Sequence, residues 1–243
     1  MTTMTRKQRE IQEREGKILD VARTMLVEGG YHGLTMDRIA ESLEYGKGTI
    51  YNHFGCKEEI IIALVNQTMV KRTDLFRKAA TFRGLPRERL CAVGVASELF
   101  MEKFPNHFKV EQLIRSSSLW EKTSEERRFA IYTCESTCIG IVGGLVRDGI
   151  AQGHLKLPAN YSPEELVFGL WSTYYGAFTL VSTGASLPTL GIHDPLAAIR
   201  RLIHASLDGF HWEPLSHLHD YDAIYRRIQK EVFANEYAQS IGS

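Results

Sequence analysis

Along this chain apolar residues recur three and four positions apart, in runs that stop at glycine or proline, which is the spacing of one face of a helix. Ile11, Ile18, Leu19, Ala22 and Leu26 share a stripe over residues 10–28, and Gly29-Gly30 ends it. Met36, Ile39, Ala40 and Leu43 make a shorter stripe behind Thr35, whose hydroxyl suits an N-cap, with Asp37 where the helix dipole favours an anion. Gly46 supplies a break where left-handed backbone is tolerated. Residues 47–54 then turn Ile50 and Phe54 inward, helped by Tyr51, before Gly55 ends the segment. Two apolar residues cannot hold an isolated helix, so this segment must lean on its neighbours.

From Lys57 a helical pattern continues to about Phe82. Ile60, Ile61, Ile62, Ala63, Leu64 and Val65 make its start apolar nearly all round, which predicts burial between two bodies and a connecting role. Further helices are predicted over residues 87–103, 105–117, 124–152, 162–183 and 195–210, with a short one over 220–238. Nowhere does an alternating run of branched residues argue for a strand. The expected fold is all-α in three parts: residues 1–72, residues 73–212, and an appendage over 213–243 whose role the pattern leaves open.

Composition narrows the setting more than the chemistry. With 243 residues, 44% hydrophobic and 24% charged, the chain can bury a real core. Its net charge is zero, and residues 1–57 hold nine Lys/Arg against eight Asp/Glu, so charge alone does not suggest a nucleic-acid partner. Four cysteines make no disulfide framework in a chain of this length. The amino end has no apolar core of a signal peptide, and no run approaches ~20 uninterrupted apolar residues, so the expected location is cytoplasmic with no membrane partner. Arg6, Lys7 and Arg9 read as part of a polar arm, either a solvated tail or a contact to phosphate or the minor groove.

Residues 35–57 are two short helices around a tight turn, and the outward positions of the second are short or polar enough to enter a major groove. The run Gly33-Leu34-Thr35 through Ile39-Ala40, then Gly48-Thr49-Ile50-Tyr51-Asn52-His53-Phe54 and Lys57-Glu58-Glu59, resembles the TetR family of bacterial repressors over about residues 17–64. Beyond that segment the resemblance implies only a general architecture: a helix-turn-helix head, a larger helical body for ligand binding and dimerisation, and double-stranded operator DNA as partner.

The resemblance implies a DNA-contact set of Thr35, Lys47, Gly48, Thr49, Tyr51, Asn52, His53 and Lys57. Lys47, Gly48, Thr49 and Asn52 would face bases, and Tyr51, His53 and Lys57 phosphates. The chemistry agrees: Asn can bond an adenine edge bidentately, Lys can reach guanine, and the Thr methyl suits thymine. Lys57 opens a helix, where backbone amides already favour an anion. Tyr51 reads equally as a core residue with its hydroxyl at the rim. Cys56 stands where the family has Ser, Asn or Asp as a cap, so the following helix should start with a weaker cap, and an oxidisable thiol there could block docking.

In the helical body, Leu166, Leu170, Tyr174, Ala177 and Val181 share a face that Phe168, Trp171, Tyr175 and Phe178 broaden, while Leu196, Ile199, Ile203 and Leu207 keep step in the next helix. Helices 163–183 and 195–210 are expected to pair with a second copy in a homodimer. An apolar or aromatic inducer is expected among Phe104, His107, Phe108, Trp120, Trp171, Tyr174, Tyr175 and Phe178, between the helices over 57–82, 105–117, 124–152 and 163–183. Cys134 and Cys138 have two-ligand spacing without a third ligand, and His217, His219 and Asp220 look metal-like without a partner, so no metal or cofactor is expected. The resulting reading is a ligand-responsive repressor. Two alternatives stand beside it, a DNA-binding factor without inducer and a small-molecule enzyme, although no nucleophile, base and orienting group are visible together.

Overall fold

The computed structural model describes residues 5–115, 125–184 and 186–238, and among these every regular element is a helix. The chain divides into two compact units: residues 1–70 with 106–133, and residues 71–105 with 134–243.

In the first unit α1 (Arg6–Gly33) starts earlier than its apolar stripe. Thr5 accepts from the Gln8 backbone N–H while the Gln8 side chain accepts from the Thr5 N–H, a reciprocal cap that winds Arg6, Lys7 and Arg9 into the helix. The polar arm expected there is therefore helical, and Ile11 is exposed above the buried stripe Ile18, Leu19, Ala22 and Leu26. At the far end Gly30, with φ +62°, breaks the helical path one residue before Tyr31.

Thr35 caps α2 (Met36–Ser42) by accepting from the Arg38 N–H at 3.2 Å, and Met36, Ile39 and Ala40 are buried. The turn to α3 (Lys47–His53) corrects the expectation for Gly46. Glu44 takes the left-handed backbone, φ +54°, while Gly46 has φ −61° and serves as the N-cap of α3. The break falls where the Leu43, Glu44 and Tyr45 amides bond back to Ile39, Glu41 and Ala40 carbonyls.

Helix α4 (Lys57–Ala79) ends three residues before the predicted Phe82. Ile60, Ile61, Ile62 and Leu64 have no exposed surface, as an all-round apolar start requires. Also in the first unit, α6 (Pro105–Arg115) buries Phe108, Val110 and Glu111 together with His107. Thr68 of α4 donates its hydroxyl to the Leu64 carbonyl at 2.9 Å, so His107 Nδ1, 3.0 Å from the same oxygen, is the donor in their pair.

The second unit is built on α5 (Pro86–Lys103), in which Leu90, Cys91, Ala92, Val93, Val95, Ala96, Leu99 and Phe100 are all buried. A helix that apolar needs cover on every side. Part of that cover is α10 (Tyr221–Glu231), with Tyr221, Ile224 and Ile228 buried. Residues 213–243 were expected to be an appendage; Tyr221, Ile224, Ile228 and Phe233 among them are buried, and with Trp212 just before them they contribute to the core of this unit. The predicted 220–238 helix is two, α10 and α11 (Ala234–Ala238), with Val232 and Phe233 between them. Trp212 sits so close to Gly149 of α7 (Glu125–Ala151) that a Cβ there would lie 3.0 Å from its ring.

Two buried charged side chains of this unit, Arg87 and Glu98, are held by ion pairs. Arg87, fully buried, meets Asp208 Oδ1 at 2.7 Å, donates to the carbonyls of Trp212 and His204, and lies 5.1 Å from the Tyr221 ring. Glu98 forms a two-pronged pair with Arg200 of α9 (Pro195–Gly209), and burial, partly offset by that pair, pushes the Glu98 carboxyl up. Helix α8 (Pro163–Ser182) packs on α9. By length and composition residues 128–151 of α7 could cross a bilayer, although polar residues interrupt its apolar run; 22% of its most apolar stretch is buried.

Candidate nucleic-acid interface

The first unit sets α3 with one face sunk and the other bare. Ile50 and Phe54 are buried, while Lys47, Gly48, Tyr51 and Asn52 are exposed and Thr49 is half-buried. Tyr51 is 51% exposed, so of its two readings the structure removes the core one, and its predicted inward role is corrected: at 100° per residue it points well away from Ile50.

The three basic members of the predicted set, Lys47, His53 and Lys57, all have protein partners outside α3. Lys47 Nζ lies 2.7 Å from Asp37 Oδ2 of α2, and that bond, more than the Coulomb attraction accompanying it, raises its pKa. His53 is 9% exposed with Nδ1 3.5 Å from Glu15 of α1, so it is tucked against α1 instead of facing outward. Lys57 Nζ sits 3.7 Å from the centre of the Tyr31 ring and donates to the Tyr31 carbonyl at 3.2 Å. Thr35 spends its hydroxyl on the α2 cap. Sequence spacing placed Lys47 and Asn52 outward as found but did not identify Asp37, Glu15 and Tyr31, which hold Lys47, His53 and Lys57; the aromatic directly after Gly29-Gly30 was the available signal for Tyr31.

Gly55, not Cys56, donates to the Glu59 carboxylate at 3.0 Å, so the first turn of α4 gains a bond from a neighbour of the cysteine. Cys56 is a half-buried free thiol.

Residues 18–64 match the family model described as bacterial regulatory proteins, tetR family. The chain carries the TetR-family helix-turn-helix. Its relatives include the fatty acid metabolism regulator protein of Bacillus subtilis, 28% identical over 141 residues, 58% of this chain and 70% of that protein. Another is the transcriptional regulator UidR of Escherichia coli, 35% identical over 75 residues, where the match spans 38% of UidR and 31% of this chain. Among solved structures, the FadR regulator of Bacillus subtilis in complex with stearoyl-CoA superposes with a TM-score of 0.63 at 22% identity, over 81% of this chain and 99% of that one. At that identity the likeness shows a shared fold: a helix-turn-helix head followed by a helical body.

The residues expected around a ligand fall into two groups. His107 and Phe108 are buried in the first unit, and Trp120 lies outside the described residues. Phe104, Trp171, Tyr174, Tyr175 and Phe178 belong to the second unit. There Tyr174 stacks 5.6 Å from Phe178, and Trp171 lies 6.4 Å from both Phe168 and Tyr175. Tyr174 is half-buried as a residue, but its hydroxyl end is sunk so close to Gly94 that a Cβ there would stand 2.6 Å away; burial pushes this hydroxyl's pKa up. Trp171 is exposed beside Phe168.

Among the described residues no three His, Cys, Asp or Glu side chains are placed to share a metal ion. His219, expected to be free on a loop, instead meets Glu88 Oε1 at 2.8 Å. Cys138 faces the Thr73 hydroxyl at 3.6 Å, and burial pushes its thiol up.

Proposed function

We propose that the protein is a homodimeric, ligand-responsive transcriptional repressor. The observation that carries the DNA reading is the division of α3, with Ile50 and Phe54 anchoring it and Lys47, Gly48, Tyr51 and Asn52 left bare. Thr49 and Asn52 offer the hydrogen bonds that distinguish base pairs, and Gly48 lets the backbone approach. One such helix reads too few base pairs for useful specificity, so two copies would occupy successive major grooves about 34–36 Å apart.

The dimer reading rests on the exposed apolar residues of α8 and α9. Phe168, Trp171, Leu180 and Leu202 all face outward in the lone chain, with Phe168 63% and Leu202 56% exposed. That much apolar surface on two adjoining helices suits a four-helix contact between copies.

For the inducer we propose an apolar ligand held by aromatic side chains of the second unit, Phe104, Tyr174, Tyr175 and Phe178. A long-chain acyl thioester is the first candidate, because FadR is seen with stearoyl-CoA. A gel shift on the chain's own upstream DNA, with and without stearoyl-CoA, tests both parts. Binding that the thioester abolishes supports the reading. Binding that no apolar ligand alters favours a regulator without inducer, and no binding to any duplex defeats the DNA assignment.

A further inference from the structure

Lys57 poses a physical problem. It is the first residue of α4, where the helix dipole is positive and a cation is disfavoured, and its long side chain has many rotamers. A phosphate contact from it would have to fix that side chain at the moment of binding, a cost that weakens any flexible contact.

Tyr31 meets the problem with three groups at once. Its ring face lies 3.7 Å beneath the Lys57 ammonium and its carbonyl accepts from the same nitrogen at 3.2 Å. Its hydroxyl donates to Glu58 Oε1 at 2.5 Å, so one residue grips two successive side chains of the first turn of α4. The bond to Glu58, with burial adding, pushes the hydroxyl pKa up to about 12, so the donor proton stays in place at neutral pH. Gly30 makes the arrangement possible: with φ +62° and ψ −165° it adopts backbone that is essentially glycine's alone, redirecting the chain just before Tyr31. An ammonium has three donors; one goes to the Tyr31 carbonyl and one faces the ring, leaving the third for an anion.

We propose that Tyr31 is a positioning residue for DNA binding, presenting the Lys57 ammonium to a phosphate of the backbone through its ring face. This rests on the DNA reading above. The ring acts as a fixed platform, so the contact forms without further ordering of the lysine. A tyrosine that served only the local core would support stability without changing the number of phosphates engaged.

The test is a salt titration of binding by the full chain to its own upstream duplex, read by fluorescence anisotropy. Each phosphate contact contributes about 0.9 to the slope of log K against log salt. With one Lys57 contact from each of two copies on the duplex, Lys57→Gln should lower the slope by about two, Tyr31→Leu should lower it equally, and the double variant should lower it no further. Tyr31→Phe, which keeps the ring and carbonyl but loses the bond to Glu58, should keep the parent slope. Should Tyr31→Leu not fold, phenylalanines of increasing ring fluorination at position 31 preserve volume while draining the ring face, and affinity should fall stepwise along the series. A parent slope in Tyr31→Leu, a double variant whose slope falls below that of either single variant, or affinity flat or rising with fluorination would overturn the proposal while leaving the DNA reading standing. A parent that bound no duplex would overturn that reading itself, and this proposal with it.

Discussion

Arg87 and Asp208 meet at 2.7 Å in the second unit, the arginine wholly buried and the aspartate at its edge, where the Ser216 backbone and hydroxyl also donate to it. This pair joins α5, α9 and the segment after α9 at one point. Removing the carboxylate leaves a buried guanidinium with carbonyls and the His204 and Tyr221 rings around it but no opposite charge in contact. Asp208→Ala should destabilise by about 2 kcal/mol, below the ~3–5 of a fully buried broken pair, because Asp208 keeps contact with water. Urea unfolding checks the figure.

The same carboxylate gives an acid dependence. Burial opposes its ionisation, but the Ser216 donors and Arg87 outweigh that and hold its pKa below the ordinary value of 3.8. A depressed carboxylate stabilises the fold above its unfolded pKa and loses that contribution as pH falls through its folded one. Asp208→Asn should therefore flatten the melting-temperature profile below about pH 4.

His204 titrates in a different window. Burial first, and Arg87 second, lower its pKa from 6.5 to about 4, with Nδ1 3.3 Å from Arg87 and Nε2 3.0 Å from the Tyr225 hydroxyl. The unfolded chain then binds a proton that the folded chain refuses between those values, so stability should fall as pH drops from 6.5 towards 4. His204→Gln should remove that slope, and melting temperatures measured across the interval would show it.

The Trp212 ring and Gly149 make a second check on the carboxyl end. Gly149→Ala would set a methyl 3.0 Å from the indole and should cost about 1–3 kcal/mol by overpacking. Truncation to alanine of Trp212, which has no exposed surface, should cost about 3–5 kcal/mol. If chains ending before residue 212 melted like the parent, the carboxyl-terminal segment would after all be an appendage.

The exposed residues of α8 and α9 carry the dimer prediction. Leu202→Glu should shift sedimentation from two copies to one, with helicity retained. An unchanged sedimentation coefficient would place the contact elsewhere.

Helix identity was legible wherever a stripe was long, as in α8 and α9, because burial and helical period reinforce each other there. The errors lie where short-range bonding outranks that pattern. Thr5 and Gln8 extend α1 through polar residues that no stripe marks, and Glu44 takes the left-handed turn two residues before the glycine that seemed made for it. The 213–243 segment was misread because its apolar positions look ordinary until α5 is seen to need cover. In the candidate interface, spacing put Lys47 and Asn52 outward as found, but it had His53 outward and Tyr51 inward, the reverse of where they lie. The partners Asp37, Glu15 and Tyr31 did not follow from it, since contacts between helices have no signature in the local pattern.

Above all, we infer that the bare face of α3 reads DNA. Anisotropy binding of the parent, Lys47→Ala and Asn52→Ala to the chain's own upstream duplex, with melting temperatures and sedimentation matched, tests it most directly. Each variant should lose roughly ten- to a hundredfold in affinity for that duplex, with Asn52→Ala losing less on unrelated sequence. Variants that bound as tightly as the parent would contradict the account.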